Sequence, residues 1–496
     1  MQRTGDRPSV DRCLITQCEM RSGQTRSCHF TVNHSGATGI EIASHLVSQS
    51  TNNPRPMSNL SRRKFIIAAG ATAAGTLLAH GCSSGSTTSS ATPSGTTPSA
   101  TPAVNINPAD APEVTKATLG FIALTDSAPL IIAQEKGLFA KYGMKDVQVT
   151  KQASWPVTRD NLELGSDKGG IDGAHILSPM PYQMTLGTIT KGNQPVPMNI
   201  VARLNTNGQA ISLSKKYLDL KVGTDSKPFK TALANEKVPI AMTFPGGTHD
   251  LWIRYWLAAG GINPDTDVSV IPIPPPQMVA NMKSGSMEAF CVGEPWNAQL
   301  VTQKVGYTAL VTGELWKDHP EKALALRADW VAKNPKATKA ITMAVLEAQQ
   351  WCDKPENQDE MCQIISQDKW LKVPLADIIG RSKGQIDYGT GRVEAASLVA
   401  MKFWADNASY PYKSHDAWFI TENIRWGYMP ANTDIKATVD QVNREDIWKA
   451  AATALGVPAA QIPATTSRGI ETFFDGVKFD PDKPEEYLKS LAIKKA

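Results

Sequence analysis

The sequence predicts an α/β protein of two lobes, built on parallel sheets with helices on both faces. Three observations carry this. Short apolar runs that read as buried strands alternate with segments of helical spacing from Lys116 to Thr312. The 496 residues, 41% hydrophobic and 20% charged, hold enough apolar material for two packed cores and exclude a collagen, a coiled coil or disorder throughout. An uncharged stretch of Ser, Thr, Pro, Ala and Gly over 83–109 sets these elements apart from the N-terminus.

In chain order, residues 117–124 read as a strand, 128–142 as a helix ending at Gly143, and 146–150 as a second strand. A helix near 156–165, a strand at 171–174, a helix at 182–186 and a strand at 198–204 complete the first set. The second set runs strand 210–214, helix 229–235, strand 239–244, helix 250–259, strand 268–273, helix 278–283 and strand 287–292. It ends with helix 298–305 and strand 308–312. Residues 313–490, with Trp316, Trp330, Trp351, Trp370 and Trp404, are mainly helical and expected to pack back on the first lobe. The expected division is lobe 1 at 112–207 plus 313–496 and lobe 2 at 208–312. Ligands of open α/β sheets sit beyond the carboxyl ends of strands, which singles out the loops after residues 150, 174, 204, 244, 273 and 292.

The N-terminal part carries an address. Ser61-Arg62-Arg63-Lys64-Phe65 opens an apolar stretch that ends at Ala79-His80-Gly81-Cys82, the layout of a signal peptide, and 65–79 is too short for a span of about 20 residues. The paired arginines resemble a twin-arginine export signal over 57–82. Cys82 follows a stretch that resembles a lipoprotein cleavage site, although His80 is not the small residue usual there; a plain export signal is the other reading. Residues 83–111 are then a tether that lets an anchored domain stand off a membrane surface. Residues 1–56 fit no part of this plan, and Met57 is the expected start of the protein. Cys18 and Cys28 with His29 and His34 have the spacing of no zinc module. Cys291, Cys352 and Cys362 supply no disulfide framework, and a bridge between Cys352 and Cys362 stays open.

The formal charge of +4 comes from the leader. Residues 1–81 carry 9 Lys and Arg against 4 Asp and Glu, leaving 42 against 43 for the rest, so no basic footprint for nucleic acid remains. The sequence also lacks H-E-x-x-H, C-x-x-C, G-x-G-x-x-G, a P-loop and an EF-hand loop, which ranks binding above catalysis.

The loops hold candidate ligand groups. Gly246, Gly247 and Thr248 lie between a strand and an amphipathic helix, where first-turn amides and the helix dipole favour a small anion; the plain reading is a turn followed by a cap. His249 follows them. Trp155 offers a flat face and one N–H, or fills core. Gln209 either donates amide hydrogens or ends a turn. Gly293 permits close approach, and Glu294 beside it would repel an anion or suit a cation such as Ca²⁺. Lys322, in His319-Pro-Glu-Lys-Ala323, reads as a helix-start lysine of the kind usually solvated.

Three stretches together carry a resemblance: Phe-Pro-Gly-Gly-Thr-His-Asp-Leu-Trp-Ile-Arg-Tyr-Trp-Leu-Ala-Ala-Gly-Gly-Ile-Asn-Pro at 244–264, Phe-Cys-Val-Gly-Glu-Pro-Trp-Asn at 290–297, and Ile-Asp-Gly-Ala-His-Ile-Leu-Ser-Pro-Met-Pro-Tyr at 171–182. They resemble the nitrate-binding and bicarbonate-binding proteins of cyanobacterial-type ABC importers, from about residue 112 to near the C-terminus. The resemblance implies a two-lobed type II periplasmic-binding fold, shaped as a C-clamp around its anion. It implies pocket positions for Trp155, Gln209, His249, Gly293, Glu294 and Lys322, with permease and ATPase subunits as partners, a lipid anchor at Cys82 and a periplasmic location. Lys322 favours nitrate or nitrite; bicarbonate relatives are expected to use acidic residues with Ca²⁺. No other cofactor and no catalytic residue is implied. Rival readings are bicarbonate with Ca²⁺ at Glu294, a tethered anion sensor, or an enzyme similar to the pyrimidine synthases of thiamine biosynthesis, whose cysteine-rich motif is absent. Lys322→Glu is expected to abolish nitrate binding and leave the fold intact.

Overall fold

The computed structural model describes residues 110–495 except 234 and 235. Arg62, Arg63 and Cys82, and with them the export signal and the lipid anchor, lie outside the described residues. Ten strands build two sheets: β1 (Lys116–Phe121), β2 (Asp146–Lys151), β3 (Gly173–Leu177), β4 (Met198–Arg203), β5 (Gln209–Ser214), β6 (Pro239–Met242), β7 (Ser269–Pro272), β8 (Ala289–Gly293), β9 (Gly306–Val311) and β10 (Lys322–Arg327). The first sheet has the order β2-β1-β3-β10-β4 and the second β7-β6-β8-β5-β9.

Each sheet is mixed, which corrects the expectation of parallel sheets. In the first sheet β1 runs parallel to β2 and β3, but β10 is antiparallel to β3 and β4. In the second, β6 runs parallel to β7 and β8, but β5 is antiparallel to β8 and β9. The reason lies in the connections. The chain reaches β5 and β10 by crossing directly from the other sheet, through 204–208 and 312–321, so neither strand enters by a crossover from a neighbour in its own sheet.

The crossings are held side by side. Glu321 N–H donates to Asn205 O at 3.2 Å and Asn207 N–H to His319 O at 3.0 Å. Lys402 lies against them, exchanging backbone hydrogen bonds with Thr206 at 2.9 and 3.2 Å.

Two further corrections concern local elements. Lys322 is the first residue of β10 and is fully buried, not a solvated helix start; the helix comes later, at Ala328–Lys333. The helix expected over 128–142 divides into Ala128–Glu135 and Leu138–Lys141 at Gly137, whose φ of 66° breaks helical continuity.

Apolar burial explains where the C-terminal half goes. One cluster surrounds the first sheet and includes the helix Pro335–Cys352; a second surrounds the second sheet. The helix Lys413–Arg425 serves both, with Ile420 and Ile424 in the first cluster and Trp418 and Phe419 in the second. Phe473, Phe479 and Tyr487 also join the second. The return segment therefore does not pack on the first lobe alone. Aromatic stacking directs it: Trp418 lies 4.9 Å from Trp252 at 25° and 5.3 Å from Trp316.

Cys291, Cys352 and Cys362 are buried free thiols. No helix among the described residues is long and apolar enough to cross a membrane.

Candidate functional site

Side chains from both sheets meet in one buried cluster. β10 begins with Lys322, which lies across from Leu177 of β3, and its backbone N–H donates to Asn205 Oδ1 at 3.2 Å. The Lys322 ammonium reaches Asp126 Oδ2 at 2.9 Å and also bonds Glu321 Oε1. Asp126 sits in the loop after β1, and its other oxygen meets His175 Nε2 of β3 at 2.7 Å. His175 Nδ1 accepts the Ile122 N–H at 3.4 Å, which makes Nε2 the protonated nitrogen that donates to Asp126.

The second sheet supplies the opposite wall. Gln209, at the start of β5, lies across from Gly293, at the end of β8, and donates from Nε2 to Glu321 Oε2 at 2.6 Å. Thr248 donates its hydroxyl to Glu321 Oε1 at 3.0 Å. His249 Nε2 is 3.1 Å from the same oxygen but not aligned for a hydrogen bond, while Nδ1 is 2.5 Å from Thr243 Oγ1. A Cβ on Gly293 would come within 3.2 Å of Asp126 Oδ2, so glycine permits the close approach.

Trp155 caps the cluster. It begins the helix Trp155–Leu164, whose start is fixed by Ser154 accepting the Val157 N–H. Lys322 Nζ lies 5.8 Å from the Trp155 ring centroid, and the His175 ring is 5.6 Å away. Trp155 Nε1 is buried without a partner.

Thus Trp155, Gln209, His249, Gly293, Lys322 and Thr248 come together. Gly246 and Gly247 shape the turn behind them: Gly246 has φ 69°, its N–H donates to Asp250 Oδ2 at 2.8 Å, and the Gly247 N–H goes to Phe244 O at 3.0 Å. These two amides are spent within the loop. Glu294 turns away, with its carboxylate on Arg381 Nη1 at 2.6 Å and on the Ala298 N–H at 3.2 Å.

Electrostatics sorts the cluster. Burial works against the charge on Asp126, but Lys322 and His175 overcome it and hold the carboxyl at about 2. Glu321 is likewise lowered, because Lys322 and His249 outweigh burial, and Lys322 is raised because Asp126 and Glu321 outweigh it. Burial lowers both His175 and His249, so both imidazoles are neutral at neutral pH. Two carboxylates therefore share one ammonium. Glu294 is raised by burial, against the pull of Arg381.

Asp126, His175 and Glu321 were not among the sequence candidates. Asp126 lies beyond the carboxyl end of β1, whose following segment is not among the loops that the sequence singles out. His175 and Glu321 stand inside quoted stretches, but nothing in their type or spacing marks them.

The NMT1-like family matches residues 110–366. The nitrate/nitrite binding protein NrtA of Nostoc sp. (strain PCC 7120) is 64% identical over 446 residues, covering 88% of this chain and 100% of that one. The bicarbonate-binding protein CmpA of Synechococcus sp. (strain PCC 6301) is 45% identical over 88% of this chain and 99% of its own. The nitrate import ATP-binding protein NrtC of Synechocystis sp. (strain PCC 6803) is 34% identical over 76% of this chain and 55% of its own. The crystal structure of the periplasmic nitrate-binding protein NrtA from Synechocystis PCC 6803 superposes with a TM-score of 0.76 at 66% identity, covering 77% of this chain and all of that one. With its two mixed sheets and the buried cluster between them, the chain belongs to the NMT1-like family, in the periplasmic-binding-protein fold of its nitrate-binding relatives.

Proposed function

We propose that this protein captures nitrate, and also nitrite, between its two lobes and delivers it to the permease of an ABC importer. One observation carries the reading: the fully buried Lys322 ammonium lies 5.8 Å from the ring of Trp155, whose buried Nε1 has no partner, in a cluster with His249, whose Nε2 faces Glu321 Oε1 at 3.1 Å without an aligned bond. Such donors cost free energy unless an acceptor meets them. A small planar oxyanion brings acceptor oxygens in three directions, and Lys322, already shared by Asp126 and Glu321, meets its charge in part. Gln209 adds donor capacity, and Trp155 covers a face of the ion. Excluding water strengthens each contact. No bond is made or broken.

The 60–64% identity to nitrate/nitrite-binding relatives supports the choice of anion, and the likeness to a nitrate import ATP-binding protein supports the importer. The bicarbonate reading asks Glu294 to hold Ca²⁺, yet Arg381 already neutralises that carboxylate. We also propose export by the twin-arginine route to the periplasm and anchoring through a lipidated Cys82, for which Cys82→Ser should move the protein from the membrane fraction to the soluble extract.

Calorimetric titration of the full chain with nitrate, nitrite and bicarbonate, each with and without Ca²⁺, tests the function. The expected result is calcium-independent heat with nitrate; bicarbonate heat only with Ca²⁺ would overturn it.

A further inference from the structure

We infer that the site takes up a proton together with its anion, and that His249 carries that proton. The inference rests on the proposed anion capture. The geometry is a buried row of close polar contacts: Thr243 Oγ1 to His249 Nδ1 at 2.5 Å, His249 Nε2 to Glu321 Oε1 at 3.1 Å, Glu321 to Lys322, Lys322 to Asp126 at 2.9 Å, and Asp126 to His175 at 2.7 Å. Every side chain from His249 to His175 in that chain is fully buried or within 1% of it.

Charge drives the coupling. Asp126 and Glu321 against Lys322 leave the cluster one negative charge in excess while both imidazoles are neutral. A univalent anion would double that excess in a desolvated space, where water cannot screen it. One proton restores the original balance.

The hydrogen bonds choose the acceptor. His175 has both nitrogens committed, Nδ1 accepting from Ile122 N–H and Nε2 donating to Asp126, so protonation would abolish the backbone contact. His249 gives up nothing. Thr243 is a hydroxyl that either donates to Nδ1 or accepts from it, and Nε2 faces a carboxylate oxygen without an aligned bond. A doubly protonated His249 donates from one nitrogen to Thr243 and from the other towards Glu321 or the anion.

Other charged groups around His249 do not supply the proton's counter-charge. Asp250, on the same helix, is neutralised by Arg254 at 2.7 Å, and Arg254 also pairs with Asp265. The buried Cys291 thiol is pushed up by desolvation and stays protonated. His319, across from Thr312, is lowered to about 4 by burial and stays neutral. Glu294 and Arg381 cancel each other.

The test is nitrate calorimetry at about pH 8 in two buffers of different ionisation enthalpy, since His249 is then neutral before binding. The expected result is uptake of about one proton per anion, with Kd rising about tenfold per pH unit above neutrality until the bound imidazole titrates. Glu321→Gln removes the excess charge, so its nitrate binding should show no proton uptake and a flat pH profile. His249→Gln should also lose the uptake; uptake that persists there would place the proton elsewhere and overturn the assignment. Nitrate heat that is identical in both buffers would overturn the coupling while leaving anion capture standing. Silence with nitrate would instead overturn the proposed function.

Discussion

Gly293 and Glu294 are neighbours in the chain and face two kinds of buried charge. On the Gly293 side Asp126 and Glu321 share the single ammonium of Lys322, with Trp155 Nε1 and His249 Nε2 left open. On the Glu294 side one carboxylate meets one guanidinium. Arg381 also donates to Thr308 Oγ1 at 2.7 Å and to Asp387 O at 3.1 Å, while Ala298 N–H completes the carboxylate. The second arrangement is balanced and saturated, which fits a tie between elements. The first is open to a ligand, and its excess negative charge is what couples an anion there to a proton. Open donors alone do not separate the two: Arg203, paired with Asp416, also leaves Nε and Nη1 without partners, but that pair is balanced in charge.

The largest break in this contrast comes from Lys322→Glu. It would place a third carboxylate beside Asp126 and Glu321 with no cation left among them. The cost should exceed the roughly 3–5 kcal/mol of breaking a buried pair, and chemical denaturation should show a protein largely unfolded at 25 °C. The expectation that the fold survives this change is corrected by the burial of Lys322. Lys322→Met keeps the stem and removes the charge, and is the better probe of binding, with nitrate heat expected to vanish.

That correction shows where sequence reasoning stops. Most elements were legible because strands and helices announce themselves by period and by Gly and Pro punctuation: β1 to β9 fall within a few residues of the expected strands, whereas β10 lies in a stretch expected to be helical. The reversal of β5 and β10 was not, since pairing direction depends on which sheet a crossing segment enters. Gln209, Gly293 and Lys322 sit at strand ends, where ligand groups belong. His175 was hidden by burial: all five residues of β3 are buried, so no alternation tells which face carries chemistry. Glu321 was hidden by its neighbour, because a carboxylate adjacent to an anion-binding lysine carries no mark of its role.

Arg381→Met tests the balanced side. It strands the Glu294 carboxylate in a buried position, at a cost of about 3 kcal/mol read from the urea midpoint. Nitrate affinity of the folded protein should stay within about twofold of the parent. An affinity loss as deep as that of Lys322→Met would erase the distinction and return Glu294 to the binding site.

Acid sharpens the contrast from the other side. Asp126 is depressed from 3.8 to about 2 in the folded protein, so its pairing stabilises the fold above the unfolded value and is lost as pH falls from about 4 towards 2. The contribution is on the order of 2 kcal/mol. Glu294 moves the opposite way, raised by burial, so protonation relieves its site as pH falls. Asp126→Asn should therefore flatten acid unfolding below about pH 4, whereas Glu294→Gln should leave that limb in place.

The smallest effect isolates one open donor. Trp155→Phe keeps an aromatic face over Lys322 and removes Nε1, which has no protein partner to lose. Deleting an unpaired buried N–H relieves desolvation and offsets the smaller ring's lost packing, so the thermal midpoint should move little. Nitrate, by contrast, loses a charge-assisted hydrogen bond worth about 1.5 kcal/mol, and Kd should rise roughly tenfold. The two readouts must part company for the comparison to hold: a fall in stability with affinity intact would make Trp155 a core residue, and the open donors around Lys322 would no longer distinguish that cluster from the Glu294 pair.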